Sequence, residues 1–578
     1  MRRRLLAALC LVSLVIHAQD VPRLGETVDV SIVNVDVFVT DRDGNRVHGL
    51  TRNDFEVYEN GTLQPLSNFA EYASGSGDRV AVEGTRQVET APREKRNILI
   101  FFERMWLPPN LADPMFAALK ETVARTVQPG DAVSVISWSG YEMQHEEFTD
   151  DMPAVTAAID RIAKLTAEVP NDPLTRLRED AVAHRDFERK VAEMAATGGG
   201  REARLGRRAG PPPEPTTPIP PAKESMETGG GPGVQIFMLM AYSEMKARVA
   251  AINSAITSMS GLEGKKVLLL ATRRLGQVAG AEFAYASGGQ GKIPDELRLR
   301  YNTTDMMQSL IDNANASGVT VYPVNPAGLG SALPDTTWSQ LVDDAVSAAA
   351  LQSAEYFTLQ NETVSLNHIA RNTGGLMAAG ISQVVELLPQ VSSDITDYYS
   401  LAYRVPATGT DLTREIVVKA KKPGLTVRSR RQFVEKSDDS RMRDRLRSTL
   451  FRASQDSQIG ITATAGDAKA AGNRLVVPVQ VRIPIKDLTL LPRGDGKHAG
   501  SFSVWVAAAA DLDELSDVTE KTQPFEVEED KLEAAQEGWF TYDIDVQVND
   551  KSRYLAVGVV DEVGRTYGLQ RIDLEGGA

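Results

Sequence analysis

The segment NILIFF at residues 97–102 is a run of apolar side chains after a single asparagine, and it contains no charged residue. Such a run is typical of a β-strand that is covered on both faces. Similar strands follow, with the sequences AVSVISW at 132–138, KVLLLAT at 266–272 and GVTVYPV at 318–324. Segments with helical periodicity lie between them. Strands that alternate with helices predict a parallel sheet with helices on both sides.

The predicted helices have apolar residues at steps of three and four, which places them on one face. The first covers residues 113–127 and ends at Pro129-Gly130, and a second covers 155–167. We expect Asp305 to cap a later helix that carries Met307, Leu310 and Ile311. A long helix between them has one stripe formed by Met245, Val249, Ile252, Ile256 and Met259. We assign the whole strand–helix unit to residues 95–394.

Two regions of alternating apolar residues flank this unit and predict antiparallel β-structure. The first is an N-terminal β unit at residues 25–75, which begins with VSIVNVDVFVT and is completed by strands at 395–435. The second is a β-sandwich at residues 458–575, where VVPVQVRIPI places alternate residues on one face. A basic, helix-like connector at 437–456 joins them. We interpret its arginines and those of 428–431 as a solvated strand end and connector, with an anionic-surface site as the alternative.

One segment interrupts the strand–helix alternation. Residues 170–232 form an insertion whose first part is charged and whose second part is dominated by glycine and proline, including GPPPEPTTPIPP. A segment of this composition does not bury enough apolar surface to fold, so we predict that part of the insertion is disordered.

Composition excludes several classes of protein. The chain has 578 residues, of which 42% are hydrophobic and 24% charged, and this is typical of a globular protein with more than one domain. Its net charge of −15 argues against nucleic acid as a partner. The single cysteine, Cys10, lies in the N-terminal apolar run. Disulfides, zinc fingers and thiol catalysis are therefore not expected in the mature chain.

The first 18 residues resemble a secretory signal peptide, because three arginines precede a short apolar stretch that ends at Ala18. We expect cleavage after Ala18, which makes the protein secreted or periplasmic with no transmembrane segment in the mature chain. An uncleaved anchor and a lipoprotein with modified Cys10 are the alternatives.

The chain resembles the secreted von Willebrand factor A-related proteins of acidobacteria over residues 30–434. The segments that carry the resemblance are NVDVFVTDRDGNRVHGLTRNDFEVYENG, DAVSVISW, GVTVYPVNPAGL, IARNTGG and DYYSLAYR with VVKAKKPGLTVRSRRQFV. The resemblance implies an α/β von Willebrand A-type fold, a doubly wound, mostly parallel sheet. The N-terminal β unit and the C-terminal all-β sandwich flank this sheet, and the sandwich is not part of the match.

Metal-binding members of the wider superfamily hold a divalent ion at an Asp-x-Ser-x-Ser loop after the first strand, with an aspartate after the fourth strand. Here the corresponding positions are Glu103-Arg104 and Thr272-Arg273, without the serines or the aspartate. The resemblance therefore implies a degenerate metal-ion-dependent adhesion site that has lost its metal. We expect Glu103, Arg104, Thr272 and Arg273 to be partner-binding residues.

Sequence motifs for catalysis are missing. The six histidines are scattered without an HExxH motif, no GxSxG motif is present, and ASGGQGKI at 286–293 lacks two defining residues of a phosphate-binding loop. We expect no enzymatic activity, no catalytic residue and no cofactor.

The leading hypothesis is a secreted, non-enzymatic protein-interaction or adhesion protein. Its partner would be a protein or cell-surface component, and an acidic one if Arg104 and Arg273 pair with carboxylates. The alternative is a structural subunit of a cell-envelope assembly, and a cryptic hydrolase is a third hypothesis.

Overall fold

The structure is a computed structural model that describes residues 30–73, 95–104, 109–140, 142–167, 190, 232–286, 293–325, 348–406, 409–452, 457–472, 474–493, 495–512 and 514–574. The predicted signal peptide at residues 1–18, nearly all of the predicted insertion at 170–232 and most of the glycine-rich loop at 286–293 lie outside these residues.

The N-terminal part of the chain consists of strands in which buried and exposed residues alternate. They are β1 (Val30–Thr40), β2 (Phe55–Glu59), β3 (Thr62–Gln64) and β4 (Leu66–Tyr72). The alternate valines of β1 are buried and its intervening polar residues face outwards, as period-two patterning requires.

The α/β unit that follows is built on a mostly parallel sheet. Its strands are β5 (Arg96–Glu103), β6 (Ala132–Trp138), β7 (Met143–Thr149), β8 (Lys265–Ala271), β9 (Val319–Asn325) and β10 (Ala378–Ala379). The strand order in the described residues is β7-β6-β5-β8-β9-β10, and only β7 at the edge is antiparallel. The first strand lies in the centre and the chain reverses direction across the sheet there, which is the doubly wound arrangement.

Helices cover both faces of this sheet. They are α1 (Pro109–Thr126), α2 (Met152–Ala167), α3 (Pro232–Ser258), α4 (Ala281–Ala286), α5 (Asp295–Arg300), α6 (Thr304–Ser317), α7 (Ala348–Thr373) and α8 (Ile381–Thr396). Helices α1, α2 and α8 pack on the face that carries Ile98 and Ile100. Helices α3, α6 and α7 pack on the face that carries Leu99 and Phe101. Because successive residues of β5 face opposite helix layers, the whole strand is buried.

Three predicted helix and strand ends were wrong. The N-cap of α6 is Thr303, and Asp305 lies inside its first turn. Gly318 does not begin a strand, because it adopts the left-handed conformation (φ 67°) that ends α6. Helix α1 also begins at Pro109, four residues before the predicted start.

The N-terminal strands are completed by strands that follow α8. These are β11 (Tyr398–Pro406), β12 (Leu412–Ala420), β13 (Thr426–Ser429) and β14 (Gln432–Glu435). They form two four-stranded sheets, in the orders β13-β1-β11-β4 and β14-β12-β2-β3. The core between the two sheets contains residues that precede the α/β unit in the chain, such as Val35 and Val57, and residues that follow it, such as Leu401 and Ile416.

A buried charge cluster joins this β unit to the α/β unit. The Asp394 side chain on α8 is fully buried and accepts two hydrogen bonds from Arg428 Nη2, at 2.7 and 2.6 Å, and one from the Tyr322 hydroxyl at 2.7 Å. Arg46 forms a further ion pair with it. The Arg428 guanidinium also lies over the Phe38 ring, 4.3 Å from its centroid. The prediction that this part of the basic run is solvated was wrong for Arg428.

The connector is helix α9 (Asp438–Phe451), whose N-cap Ser437 accepts a hydrogen bond from the Ser440 amide. Its apolar face is buried in the same core as the α/β unit. The helix lies so close to the loop after α3 that a Cβ on Gly261 would be 2.4 Å from Arg445 Cα. The connector is therefore a packed element between two parts of the chain.

The C-terminal region is formed by β15 (Thr462–Ala465), β16 (Lys469–Ala471), β17 (Arg474–Pro484), β18 (Leu491–Arg493), β19 (Lys497–Ala509), β20 (Thr519–Glu528), α10 (Leu532–Gln536), β21 (Trp539–Val548), β22 (Tyr554–Asp561) and β23 (Tyr567–Asp573). One sheet has the order β15-β17-β16 with β21 also on β17, and the other has β18-β19-β22-β23 with β20 on β19. Their facing sides form one core. The opposite side of β19, with Trp505 and Ala507, packs against α9.

His145 on β7 lies at the contact between the α/β unit and the C-terminal region. Its ring packs edge-on against Phe451 of α9, with centroids 5.6 Å apart. Burial, and to a lesser degree the charge of Arg571, lowers its pKa to about 4. Arg571 itself pairs with Glu147 on β7 at 2.9 Å.

We predict that this histidine makes the protein less stable in acid. Because the pKa is lower in the folded protein, His145 binds a proton in the unfolded chain at a pH where it is still neutral in the folded one. The free energy of unfolding therefore falls as the pH falls from about 6.5 towards 4. The loss at the acid end is about 3 kcal/mol. Urea unfolding of the His145→Gln variant should show a smaller fall over this range than the parent. The exposed His368→Gln control should match the parent, and parallel curves for parent and His145→Gln would contradict the prediction.

Candidate functional site

The carboxyl ends of β5, β8 and β9 lie at the same edge of the sheet because these strands are parallel. Glu103 is the last residue of β5, Thr272 directly follows β8, and Asn325 ends β9. The chain leaves β5 and β8 towards opposite sides of the sheet, so this edge is the crevice in which doubly wound proteins bind ligands. We call the cluster of Glu103, Arg248, Thr272, Arg273 and Glu362 the apex network.

Both carboxylate oxygens of Glu103 are occupied by groups of the same chain. Oε1 accepts hydrogen bonds from Arg248 Nε at 2.8 Å and Nη2 at 2.6 Å. Oε2 accepts from the Thr272 hydroxyl at 2.7 Å and from the Arg273 amide at 3.2 Å. The Glu103 side chain has no solvent exposure. The residue therefore holds the loop after β8 and the helix α3 against the end of β5.

Arg248 was not predicted from the sequence as a site residue. It lies on α3, its side chain is 1% exposed, and Nη2 also forms an ion pair with Glu244 one turn earlier at 2.7 Å. Burial disfavours its charged form, but the carboxylates of Glu103 and Glu244 outweigh burial and raise its pKa. A signal was present in the sequence: Arg248 precedes Ile252 by four residues, which places this charge on the buried face of the helix.

A second carboxylate, Glu362 on α7, holds the neighbouring backbone. Oε1 accepts from the Arg274 amide at 2.8 Å, and Oε2 accepts from Asn325 Nδ2 at 2.8 Å. Burial raises the pKa of Glu362, although the charge of Arg273, whose Nε is 3.9 Å away, opposes this. Arg274 has a φ of 60°, so Glu362 bonds a strained position in the loop after β8.

The structure brings three of the four predicted residues together, Glu103, Thr272 and Arg273. The fourth, Arg104, is buried and lies towards the loop between β6 and β7, with Nη2 4.0 Å from the exposed Glu142 Oε2. All four predicted residues are less than 9% exposed. Their partner-binding role stays a prediction.

The donor set does not fit a divalent cation. A metal would require free carboxylate oxygens, whereas Glu103 already accepts hydrogen bonds from a guanidinium, a hydroxyl and an amide. Within the part of the chain that the structure describes, no group of three or more histidine, cysteine, aspartate or glutamate residues is placed to hold a metal ion.

Comparison with known proteins adds little. No protein-family model and no curated protein matches the chain. Over 52% of this chain and 98% of the other, it is similar to the crystal structure of an aerotolerance-related membrane protein from Bacteroides fragilis, at 9% identity and a TM-score of 0.22. It is also similar to the human COPII-coat protein Sec24c, at 8% identity and a TM-score of 0.22, over 62% of this chain and 46% of that one. Scores this low support no inference about function.

Among the described helices, none is both long and apolar enough to cross a membrane.

Proposed function

We propose that the protein is a secreted, non-enzymatic interaction protein that binds its partner at the apex of a von Willebrand A-like domain without a divalent cation. The observation that carries this proposal is the buried Arg248–Glu103 pair, with contacts of 2.6 and 2.8 Å at the crevice of a doubly wound sheet. The guanidinium of Arg248 supplies the positive charge that a bound metal ion would otherwise provide, and it neutralises the carboxylate of Glu103 at the end of β5. The strand order supports the resemblance to the A-type family.

The apex network acts in this proposal as a fixed support for the surface around it. Its side chains are hydrogen-bonded to backbone amides of the loop after β8, so the loop is held in one conformation before a partner arrives. Pre-organisation of this kind increases affinity because less conformational entropy is lost on binding. Arg104 and Arg273 each lie within 4.0 Å of a carboxylate of their own chain, so the proposal does not include an acidic partner.

Metal independence is directly testable. We predict that the melting temperature is the same in Mg²⁺, Mn²⁺ and EDTA. A ligand at 100 times its dissociation constant would add about 2.7 kcal/mol to the stability of the native state, which differential scanning fluorimetry detects easily. A melting temperature that falls in EDTA would contradict the proposed replacement of the ion by Arg248.

Capture of the partner tests the interaction role. Tagged protein is incubated with the native envelope fraction, and the proteins retained are identified by mass spectrometry, with and without EDTA. Glu142→Lys changes an exposed side chain at the apex, and the control Glu121→Lys changes an exposed side chain on α1, away from the apex. We expect the first variant to lose the partner and the second to keep it.

A different result would favour the second hypothesis, a structural subunit of an envelope assembly. In that case Glu142→Lys would still capture the partner, and Trp539→Ala on the half-exposed strand β21 would abolish capture. Turnover in a substrate panel would instead support hydrolase activity.

A further inference from the structure

A cavity of about 310 Å³ lies at the opposite edge of the α/β sheet, where β8 and β9 begin. Its walls come from three parts of the chain: β1 of the N-terminal unit, the loop after α3 with the last turn of α6, and the segment that runs from Arg430 through β14 into α9. This volume is at the lower end of the range of small-molecule sites. The cavity does not include any residue of the apex network.

The charges around the cavity are unbalanced. Five cationic side chains line it against three carboxylates, which are Glu263, Glu435 and Asp444. Glu435 pairs with Arg414, which lies outside the cavity wall, and Asp444 pairs with Lys436. Of the lining cations, Lys436 and Arg441 are paired, the latter with Asp438, which leaves three cations against Glu263. Excess positive charge therefore remains at the cavity wall.

Lys266 and Arg430 carry this excess charge. Lys266 Nζ donates to the carbonyl oxygens of Ser260 at 3.2 Å and Leu262 at 2.9 Å, and Arg430 donates to the carbonyl oxygen of Asn34. Within the described residues neither cation has a carboxylate within 4.0 Å. An ammonium group has three N–H donors and a guanidinium has five, so both keep donors for a ligand.

Asn315 is an independent indication of a ligand. The residue lies in the cavity wall and is 3% exposed, yet neither Nδ2 nor Oδ1 of its buried amide has a hydrogen-bond partner among the described residues. Buried amides are nearly always hydrogen-bonded, because an unsatisfied polar group is costly. An anion oxygen that reached this amide would accept a hydrogen bond from Nδ2, and a protonated phosphate oxygen or a hydroxyl of the ligand would donate to Oδ1.

The titration of Lys266 agrees with this geometry. Burial, together with the charges of Lys436 and Arg430, lowers its pKa to about 8 against the opposing charges of Asp444 and Glu263. The ammonium form is therefore present at pH 7 and is stabilised by any anion placed beside it.

We propose that this cavity binds a small anion with a carboxylate or phosphate group, held by Lys266 and Arg430 and hydrogen-bonded by Asn315. Because its walls come from three parts of the chain, the bound anion also ties those parts together.

Isothermal titration of the full chain with sodium phosphate and, separately, with citrate tests this proposal and distinguishes the two sources of anionic oxygen. Both titrations are carried out at constant ionic strength in chloride. We expect saturable binding of at least one probe at pH 7, and weaker binding at pH 9, where Lys266 is neutral. Lys266→Met should weaken binding about tenfold or more, while the exposed control Lys497→Met should not change it.

Asn315→Leu is a second variant that keeps both cations and replaces the unsatisfied amide by an apolar group of similar size. It should lose binding while its melting temperature stays equal to or above that of the parent. Absence of saturable binding for both probes would overturn the proposal. Unchanged affinity in Lys266→Met and Asn315→Leu would also overturn it, since Lys266 would then only hold the loop after α3.

Discussion

Asp394→Asn is expected to lower the free energy of unfolding by about 3–5 kcal/mol, because it leaves two partly buried guanidiniums without their shared, fully buried carboxylate. The side chain of Asp394 is completely buried, and those of Arg46 and Arg428 are each 19% exposed. Neither arginine has another carboxylate within 4.0 Å among the described residues. The loss should appear as a lower urea midpoint, measured by circular dichroism.

The matched control is Asp295→Asn, which removes the same charge from an ion pair on the surface. Asp295 pairs with Arg298 at 2.5 Å, but its side chain is 83% exposed. Exposed pairs contribute little, so the urea midpoint of this variant should equal that of the parent. If the two variants lose similar stability, the cluster around Asp394 is not what holds the β unit to the α/β unit.

The second large effect is expected at the apex network. Glu103→Gln should cost about 3–5 kcal/mol of unfolding free energy, because Arg248 would remain buried with only Glu244 as a partner. Arg248→Met should cost a similar amount, since it leaves the Glu103 carboxylate buried without a cation. Tryptophan fluorescence reports this region, because the Arg248 guanidinium lies 5.5 Å from the centroid of the Trp138 ring.

The double variant Glu103→Gln/Arg248→Met distinguishes a coupled pair from two independent sites. Once one partner has been removed, removal of the other costs little, so the loss in the double variant should be clearly smaller than the sum of the single losses. Additive losses would contradict the direct pairing. Restoration of the Glu103→Gln or Arg248→Met variant by Mg²⁺ would contradict the metal-independent apex.

The sequence predicted the four central strands of the sheet closely, because each is buried on both faces and its apolar run ends where burial ends. The edge strands β7 and β10 were not predicted, since β7 is only partly buried and β10 has two residues. The predicted strand 97–102 is β5 at Arg96–Glu103, and 132–138 is β6 without change. It did not predict the role of α9. Met442, Leu446 and Leu450 are buried at four-residue spacing. The charged residues between them make the segment as a whole hydrophilic, so its composition indicated an exposed connector.

Glu103 and Thr272 were identified as site residues because the carboxyl ends of parallel strands meet at one edge of a sheet. The residues that bind to them were not identified. Arg248 lies 145 residues beyond Glu103, and Asp394 lies 34 residues before Arg428 and 72 after Tyr322. Nothing in local periodicity indicates such partners, since an ion pair depends on the position of two side chains in space.

The sequence by itself determined the four central strands of the α/β unit and the placement of helices on both faces of their sheet, because hydrophobic periodicity is a local property of the chain. Only the tertiary structure decided which charges neutralise one another at the apex, around Asp394 and at the cavity near Lys266. A buried charge is stable only when it meets an opposite charge or a hydrogen-bonding group, and folding brings those groups from distant parts of the chain.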